Sequence, residues 1–153
     1  MFSKSRKTLF ILMGIQASGK STFAHTVLTN CVYISLDQLN TRNKERIALQ
    51  NTLQTGRNCV IDNTNPTQKE RQKYIDLAQK SGYKTVGIYF RSAVAECSVR
   101  NDKRLGKAHV PLKGLLATAK RLEQPTSTEG FDALYYVKIE NNEFIISNWD
   151  ETL

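Results

Sequence analysis

Thr8-Leu-Phe-Ile-Leu-Met13 and Gly14-Ile-Gln-Ala-Ser-Gly-Lys-Ser21 stand next to each other near the start of this 153-residue chain. The first stretch is an apolar run that ends at a glycine, which predicts a buried strand. The second matches G-x-x-x-x-G-K-[ST], a pattern whose glycines let backbone N–H groups approach phosphate oxygens. The residues from Gly19 to about Thr29 have helical character, and a helix N-terminus adds partial positive charge beside the same anion. Strand, loop and helix together predict a phosphate-binding loop.

The polar residues of this loop predict how a nucleotide is held. Lys20 is a point charge for the β- and γ-phosphates, and the Ser21 hydroxyl is a predicted Mg²⁺ ligand. ATP and Mg²⁺ are therefore the expected nucleotide and metal. The predicted nucleotide contacts are Gly14, Ala17, Ser18, Gly19, Lys20, Ser21 and Thr22.

Outward from the loop, apolar runs alternate with helical stretches. Further strands are predicted at residues 31–35, 58–61 and 84–90, and helices at 38–55, 66–82, 92–105 and 112–124. Such alternation predicts an α/β fold with three layers, in which helices cover both faces of a parallel central sheet. Residues 105–111 predict a short lid, and residues 133–139 and 143–146 predict a small C-terminal hairpin. No linker interrupts the pattern, so a single domain over residues 1–153 is expected.

Two aspartates follow predicted strands at the sheet edge where ligands of such folds bind. Asp37, after the second strand, is either a general base for an attacking hydroxyl or the N-cap of the helix predicted at 38–55. Asp62, after the third strand, is either a carboxylate that holds a Mg²⁺-bound water or a turn residue in Asp-Asn-Thr-Asn-Pro66.

A basic cluster precedes the predicted lid. Arg100, Lys103, Arg104 and Lys107 recur at helical spacing. A lid that closes over ATP would bring an arginine to the transferring phosphoryl group, where such a residue contributes about 10³–10⁵ in rate. Lys20, Asp37, Arg104 and Arg100 are therefore the predicted catalytic residues of a kinase.

The middle of the chain is strongly basic, because residues 66–122 carry 13 basic and 4 acidic side chains. A polyanionic partner suits this charge, although Lys69, Arg71 and Lys73 also fit a solvated helix surface. The three cysteines are too far apart for a zinc site, so reduced thiols and a cytoplasmic location are expected. No apolar run is long enough for a membrane span, and no membrane partner is expected.

Several stretches resemble the kinase domain of polynucleotide 5′-kinase/3′-phosphatase repair enzymes and their phage and bacterial relatives. Besides the phosphate-binding loop they are Ile34-Ser-Leu-Asp37, Val60-Ile-Asp-Asn-Thr-Asn-Pro66, His109-Val-Pro111 and Pro125-Thr-Ser-Thr-Glu-Gly-Phe131. The resemblance covers roughly residues 8–139. It implies an adenylate-kinase-like P-loop NTPase fold, ATP, Mg²⁺ and transfer to a 5′-hydroxyl end of DNA or RNA. It also implies Asp37 as the base, with Arg104 as the preferred lid arginine and Arg100 as the second choice.

The acceptor side departs from the family pattern. The phage enzymes place an arginine three residues after the base, where this chain has Asn40. Arg42 or Arg46 would take over the contact to substrate phosphate, unless both are solvated helix residues. Asn63 and Asn65, within the resembling stretch, complete the predicted acceptor site. Nothing in the chain resembles the family's phosphatase or ligase domains, so end repair would require separate phosphatase or ligase proteins.

Three functions remain open. A polynucleotide 5′-hydroxyl kinase is favoured by the basic middle segment and by the two narrower motifs, Asp62-Asn-Thr-Asn-Pro66 and the Glu-Gly-Phe element within residues 125–131. A small-molecule kinase for a nucleoside, sugar or antibiotic would need nearly the same loop, base and lid. An ATP-binding regulatory module is disfavoured, because a protein that only binds ATP has no need for a base and a basic lid.

Overall fold

The computed structural model describes Phe2 and residues 7–152, so residues 1, 3–6 and 153 of the predicted domain lie outside the described residues. The strands are β1 (Thr8–Met13), β2 (Val32–Ile34), β3 (Cys59–Asp62), β4 (Lys84–Phe90), β5 (Ala133–Glu140) and β6 (Glu143–Asn148). The α-helices are α1 (Lys20–Val27), α2 (Leu36–Leu39), α3 (Arg42–Thr55), α4 (Gln68–Lys80), α5 (Val94–Asp102) and α6 (Leu112–Arg121). Single 3₁₀ turns lie at Gly106–Ala108 and Ser127–Glu129.

The strands form one sheet in the order β2-β3-β1-β4-β5-β6. β1 to β5 pair in parallel, and β6 returns antiparallel to β5 as the second strand of a hairpin. The mostly parallel α/β sheet and the C-terminal hairpin are thereby confirmed. Parallel strands bring their carboxyl ends to one edge, so the residues after β1, β2 and β3 meet there.

The central strand β1 is buried along its whole length, and its side chains alternate between two apolar clusters. Leu9 and Ile11 pack with residues of α3 and α4, whereas Phe10 and Leu12 pack with Phe23 of α1. Helices therefore cover both faces of the sheet, and the predicted three-layer arrangement is found. This packing fixes the end of β1, from which the phosphate-binding loop begins.

The single helix predicted at 38–55 is wrong. α2 ends at Leu39, and Asn40 adopts a left-handed conformation with φ +69°. Thr41 then starts α3 as its N-cap, accepting a hydrogen bond from the Lys44 backbone N–H at 3.1 Å. The capping interpretation of Asp37 is also wrong, because Asp37 lies in the first turn of α2 and Ser35 occupies the N-cap position.

Pro66 does not open the next helix, as its position in the sequence suggested. α4 begins at Gln68, and the N-cap is Thr67, which accepts a hydrogen bond from the Glu70 backbone N–H at 3.2 Å. A threonine oxygen satisfies an otherwise unpaired helix N–H, and proline has no side chain that does so. The remaining predicted elements are found with ends shifted by at most three residues.

Arg71 is fully buried, so the surface interpretation of this residue is wrong. Its Nε donates to Oε1 of Glu129 at 2.9 Å, and its Nη2 donates to Oε2 at 3.3 Å. Its Nη1 donates to the backbone oxygens of Asn65 at 3.2 Å and Glu123 at 2.9 Å. The Arg71 guanidinium, through this bidentate ion pair and its bond to Asn65, joins the Asp62–Pro66 loop to the Pro125–Phe131 stretch. The two motifs that are most specific to the resembling family are thus connected through one buried guanidinium.

We expect Glu129→Ala to lower the free energy of unfolding by about 3–5 kcal/mol, because the buried Arg71 would lose its countercharge. Urea denaturation followed by circular dichroism measures this change. Glu96→Ala is the matched control, since the Arg91–Glu96 pair has side chains about half exposed and contributes at most about 1 kcal/mol. Equal losses in the two variants would contradict the structural role of the buried pair.

Candidate active site

The phosphate-binding loop wraps around the Lys20 side chain. Lys20 Nζ donates to the backbone oxygens of Gly14 at 2.9 Å and Ile15 at 2.8 Å. The chain makes this turn through left-handed conformations at Ala17 (φ +61°) and Gly19 (φ +103°). Burial lowers the pKa of Lys20 to about 8, because the ammonium group has lost most of its hydration. A phosphate anion beside the loop would stabilise the charged form.

Ser21 and Asp62 form the predicted metal site. Ser21 Oγ donates to Asp62 Oδ2 at 2.6 Å, and the Asp62 side chain is almost fully buried. A hydroxyl and a carboxylate beside bound phosphates fit Mg²⁺, which usually takes one or two carboxylates together with substrate phosphates. Within Phe2 and residues 7–152 no cluster of three or more His, Cys, Asp or Glu is found. The donor set therefore fits a metal shared with a nucleotide rather than one held by protein alone.

Tyr33 is a contact of this site that sequence reasoning missed. Its hydroxyl donates to the same Asp62 oxygen, Oδ2, across the parallel β2–β3 pair. Burial and the neighbouring carboxylate raise the pKa of Tyr33 to about 12, so the hydroxyl stays protonated and remains a donor. A tyrosine inside an apolar strand has no local signature that separates this role from packing.

Asp37 opens onto a cavity of about 490 Å³ at the carboxyl edge of the sheet. The Asp37 residue is exposed, and Ser21 lines the same cavity. Other predicted residues in the lining are Arg42, Asn63, Asn65 and Arg104. The predicted base, metal ligand and lid arginine therefore line one space, which we call the acceptor cavity.

A hydrogen-bond network fixes the helix turn that carries Asp37. The Leu36 backbone N–H donates to Asn63 Oδ1 at 2.9 Å, and Asn63 Nδ2 donates to Glu45 Oε2 at 2.7 Å. Glu45 is buried, and its Oε1 accepts from the Tyr74 hydroxyl at 2.6 Å and from Arg42 Nη1 at 3.3 Å. Asn63 thus acts by positioning α2, and Glu45 and Tyr74 are supporting residues that the sequence did not reveal.

A second cavity of about 310 Å³ lies on the other side of the loop, and we call it the nucleoside cavity. One wall is the C-terminal hairpin, to which no role was assigned from sequence. A Cβ added to Gly19 would lie 2.9 Å from Ile139 Cδ1 and 3.2 Å from Phe144 Cε1. Gly19 is therefore favoured by its positive φ, and a larger residue would also require the ends of the Ile139 and Phe144 side chains to shift. The lining residues are Ala17, Gly19, Thr22, Arg100, Arg104, Ile139, Asn142, Glu143 and Phe144.

The two lid arginines have different surroundings. Arg104 lines both cavities, and its Nη1 donates to the Ala108 backbone oxygen at 3.2 Å. Arg100 lines the nucleoside cavity and donates from Nε to the Ala17 backbone oxygen at 2.8 Å, which ties it to the loop. The buried Asn101 holds the two ends of the lid segment together. Its Nδ2 donates to the Val110 backbone oxygen at 2.6 Å, and its Oδ1 accepts from the Val110 backbone N–H at 2.9 Å.

Two predicted acceptor residues are placed differently from the rest. Arg46 lies on the exposed face of α3, where it donates to Asn43 Oδ1 at 2.7 Å, and it does not line the acceptor cavity. Asn65 is buried with φ +44°, and its Nδ2 donates to the Leu12 backbone oxygen at 2.6 Å. Asn65 therefore holds the loop after β3 against β1, and its side-chain amide faces protein backbone.

Comparison with known proteins supplies an independent line of evidence. A family model described as "AAA domain" matches residues 9–125. A bifunctional polynucleotide phosphatase/kinase from Schizosaccharomyces pombe is 31% identical over 136 residues, 85% of this chain and 33% of the relative. A protein from Acanthamoeba polyphaga mimivirus, whose name also contains "bifunctional polynucleotide phosphatase/kinase", is 36% identical over 84 residues, 54% of this chain and 20% of the relative. The chain thus spans about a third and a fifth of these relatives.

Solved structures show the same fold at low identity. Kti12 of Chaetomium thermophilum, in complex with ADP-AlF3, has a TM-score of 0.70 and 16% identity, with 88% of this chain and 91% of that chain covered. A gluconokinase from Sinorhizobium meliloti 1021 has a TM-score of 0.61 and 16% identity, with 88% and 84% covered. At such identities these similarities establish the fold alone.

Proposed function

Because this chain belongs to the AAA domain family and is a P-loop kinase with polynucleotide phosphatase/kinases among its relatives, we propose that it is an ATP-dependent polynucleotide 5′-hydroxyl kinase. It transfers the γ-phosphate of ATP to the 5′-hydroxyl end of DNA or RNA. Kinase-type phosphotransfer follows from the family and the relatives, and the acceptor is the proposed part.

One observation carries the proposal: two separate cavities meet at the phosphate-binding loop. The nucleoside cavity would hold the donor, and the acceptor cavity would present a hydroxyl to Asp37. Arg104 lines both cavities. Phosphoryl transfer requires donor and acceptor in line with cations around the transferring group, and two cavities beside one cationic loop support this requirement.

In the proposed mechanism, loop N–H groups and the Lys20 ammonium hold the β- and γ-phosphates. The Asp37 carboxylate accepts the proton of the 5′-hydroxyl as the 5′-oxygen bonds to the γ-phosphorus, and ADP leaves as the bond to the β-phosphate oxygen breaks. The Arg104 guanidinium stabilises the charge that spreads over the transferring oxygens. Ser21 and Asp62 would hold Mg²⁺, which supplies charge neutralisation at the phosphates when bound.

The charge of the acceptor cavity supports a polyanionic acceptor. Arg42, Arg104, Lys107 and Arg121 line it. Arg42 also lines the neighbouring groove between α3 and α4, together with Arg46 and Lys73. A strand with its 5′ end at Asp37 would therefore meet cations both inside the cavity and beyond its rim. Such contacts give sequence-independent affinity for nucleic acid.

The deciding experiment offers γ-labelled ATP with three acceptors. They are an oligonucleotide with a 5′-hydroxyl, the same oligonucleotide already 5′-phosphorylated, and a panel of nucleosides, sugars and antibiotics. We expect label on the first acceptor alone. Label on a panel member and none on the 5′-hydroxyl oligonucleotide would replace the proposal with the small-molecule kinase.

The proposal also predicts a salt dependence. With two phosphate contacts, a slope of about −1.4 in log affinity against log salt weakens single-strand binding about 7-fold between 50 and 200 mM salt. Arg42→Ala should make that slope about 0.7 units shallower, the share of one phosphate contact on a single strand, as measured by fluorescence anisotropy with a labelled oligonucleotide. Arg57→Ala, at an exposed position two residues after the end of α3, is the matched control and should leave the slope unchanged. An unchanged slope in Arg42→Ala would contradict the role of Arg42.

Two further parts of the proposal concern the surroundings of the enzyme. We expect separate phosphatase or ligase proteins to act on the same nucleic-acid ends, and we expect a cytoplasmic location. Co-purification from cells under mild conditions and localisation of a tagged chain test these points. Among the described residues no helix is both long and apolar enough to cross a membrane.

A further inference from the structure

Three buried side-chain atoms that can form hydrogen bonds have no partner within the described part of the chain: Gln16 Oε1, Glu70 Oε2 and Trp149 Nε1. Two of them belong to residues that line the acceptor cavity, Gln16 and Glu70. Buried polar atoms in proteins are nearly always paired, so each exception calls for an explanation. Two exceptions beside one cavity are explained if a ligand pairs with both atoms once the side chains that cover them shift.

Each of these side chains is held at one polar atom and leaves the other unpaired. Gln16 Nε2 donates to Thr118 Oγ1 at 3.0 Å, and Thr118 Oγ1 donates in turn to the Gly114 backbone oxygen at 3.0 Å. This chain of donors fixes the amide orientation, which leaves Oε1 of Gln16 as an acceptor. Glu70 Oε1 accepts from Arg121 Nη2 at 3.0 Å, which leaves Oε2 as a second acceptor. The missing partner must therefore carry hydrogen-bond donors.

Charge disfavours a phosphate as that partner. An unpaired carboxylate oxygen on Glu70 repels a phosphate group, whereas the arginines and Lys107 in the same lining attract one. The group that faces Gln16 and Glu70 is thus an uncharged donor-bearing part of the acceptor. A cavity of about 490 Å³ lies in the range of small-molecule sites, which suits one nucleoside.

We infer that Gln16 and Glu70 recognise the 5′-terminal nucleoside of the acceptor by accepting hydrogen bonds from its donors. The donors are N–H groups of the base or the 2′-hydroxyl of the ribose. The inference rests on the proposed function, since it assigns the acceptor cavity to the end of a strand. It makes both residues specificity determinants of the transfer.

The test uses four 5′-hydroxyl trinucleotides that differ only in the first nucleoside. The first nucleosides are deoxyguanosine, deoxyadenosine, deoxynebularine (adenine without its amino group) and ribo-nebularine. If the base supplies the donors, kcat/KM for deoxyguanosine or deoxyadenosine exceeds that for deoxynebularine by roughly 3- to 10-fold, the effect of one or two hydrogen bonds. If the sugar supplies them, ribo-nebularine exceeds deoxynebularine by a similar factor.

Two variants test whether the preference for the first nucleoside depends on Glu70 and Gln16. Glu70→Gln keeps the size of the side chain but puts an amide N–H₂ in place of the free acceptor, and Gln16→Leu removes the other acceptor. Each should bring the kcat/KM ratio closer to one, and measurement of the KM for ATP reports whether the phosphate-binding loop is intact. Gln54→Leu, on the exposed face of α3, is the matched control and should keep the wild-type ratio.

The outcomes separate this inference from the function on which it rests. Equal kcat/KM for all four trinucleotides in the wild-type protein would overturn it and leave the polynucleotide kinase assignment intact. A preference that persists in both variants would overturn it as well, because another group would then be responsible. Absence of label from all four trinucleotides would overturn the assignment itself.

Discussion

Lys20→Ala is expected to abolish phosphoryl transfer, with kcat/KM lower by about 10³-fold or more, while the fold persists. The ammonium is the only charge that the phosphate-binding loop itself offers to the β- and γ-phosphates, and such charges act in a water-poor site. Transfer from γ-labelled ATP to a 5′-hydroxyl oligonucleotide measures the loss.

The thermal midpoint of unfolding is the companion measurement for Lys20→Ala. Burial disfavours the charged ammonium in the nucleotide-free protein, as its lowered pKa indicates, so its removal should not destabilise the chain strongly. Lys80→Ala, at the exposed end of α4, is the control and should retain full transfer. Unchanged turnover in Lys20→Ala would refute the assignment of the loop.

Asp37→Asn is expected to lower kcat by roughly 10²–10⁴, because the amide cannot take the proton of the attacking hydroxyl. The Asp37 side chain is exposed, and the N-cap positions of α2 and α3 belong to Ser35 and Thr41. The substitution should therefore leave the thermal midpoint of unfolding almost unchanged. Single-turnover transfer and a melting curve test both statements.

Asp76→Asn provides the comparison for Asp37→Asn, since Asp76 lies on the exposed side of α4, outside the acceptor cavity. It should retain wild-type kcat. Near-normal transfer in Asp37→Asn, combined with a large loss of melting temperature, would give Asp37 a structural role and remove the base from the mechanism.

The parts of the site that could be predicted from sequence are those with a local signature. The apolar run of β1 and the glycine-rich loop are contiguous, and their spacing alone requires a strand, a turn and a helix N-terminus. The positions of Asp37 and Asp62 at the sheet edge could be predicted for a related reason, because parallel strands place their last residues at one edge. In each case the residues of one short stretch of chain are enough to predict the local structure.

The missed features depend on contacts between distant residues. Arg71 and Glu129 are 58 positions apart, and neither can be predicted from the sequence to be a buried charge unless its partner is known. The break between α2 and α3 depends on Asn63, which takes up the Leu36 N–H, as well as on the tolerance of Asn40 for positive φ. Gln16 and Glu70 are likewise ordinary surface residues until α6 supplies Thr118 and Arg121 beside them.

The contact between Gly19 and the hairpin has a consequence for the order in which the protein matures on the ribosome. The loop emerges early, whereas Ile139 and Phe144 are synthesised more than a hundred residues later. A nascent chain that already contains the phosphate-binding loop still lacks one side of the space for the nucleoside. On the proposed assignment of this cavity to the donor, we expect tight nucleotide binding to be delayed until β5 and β6 have joined the sheet, so that shorter translation intermediates would not sequester ATP.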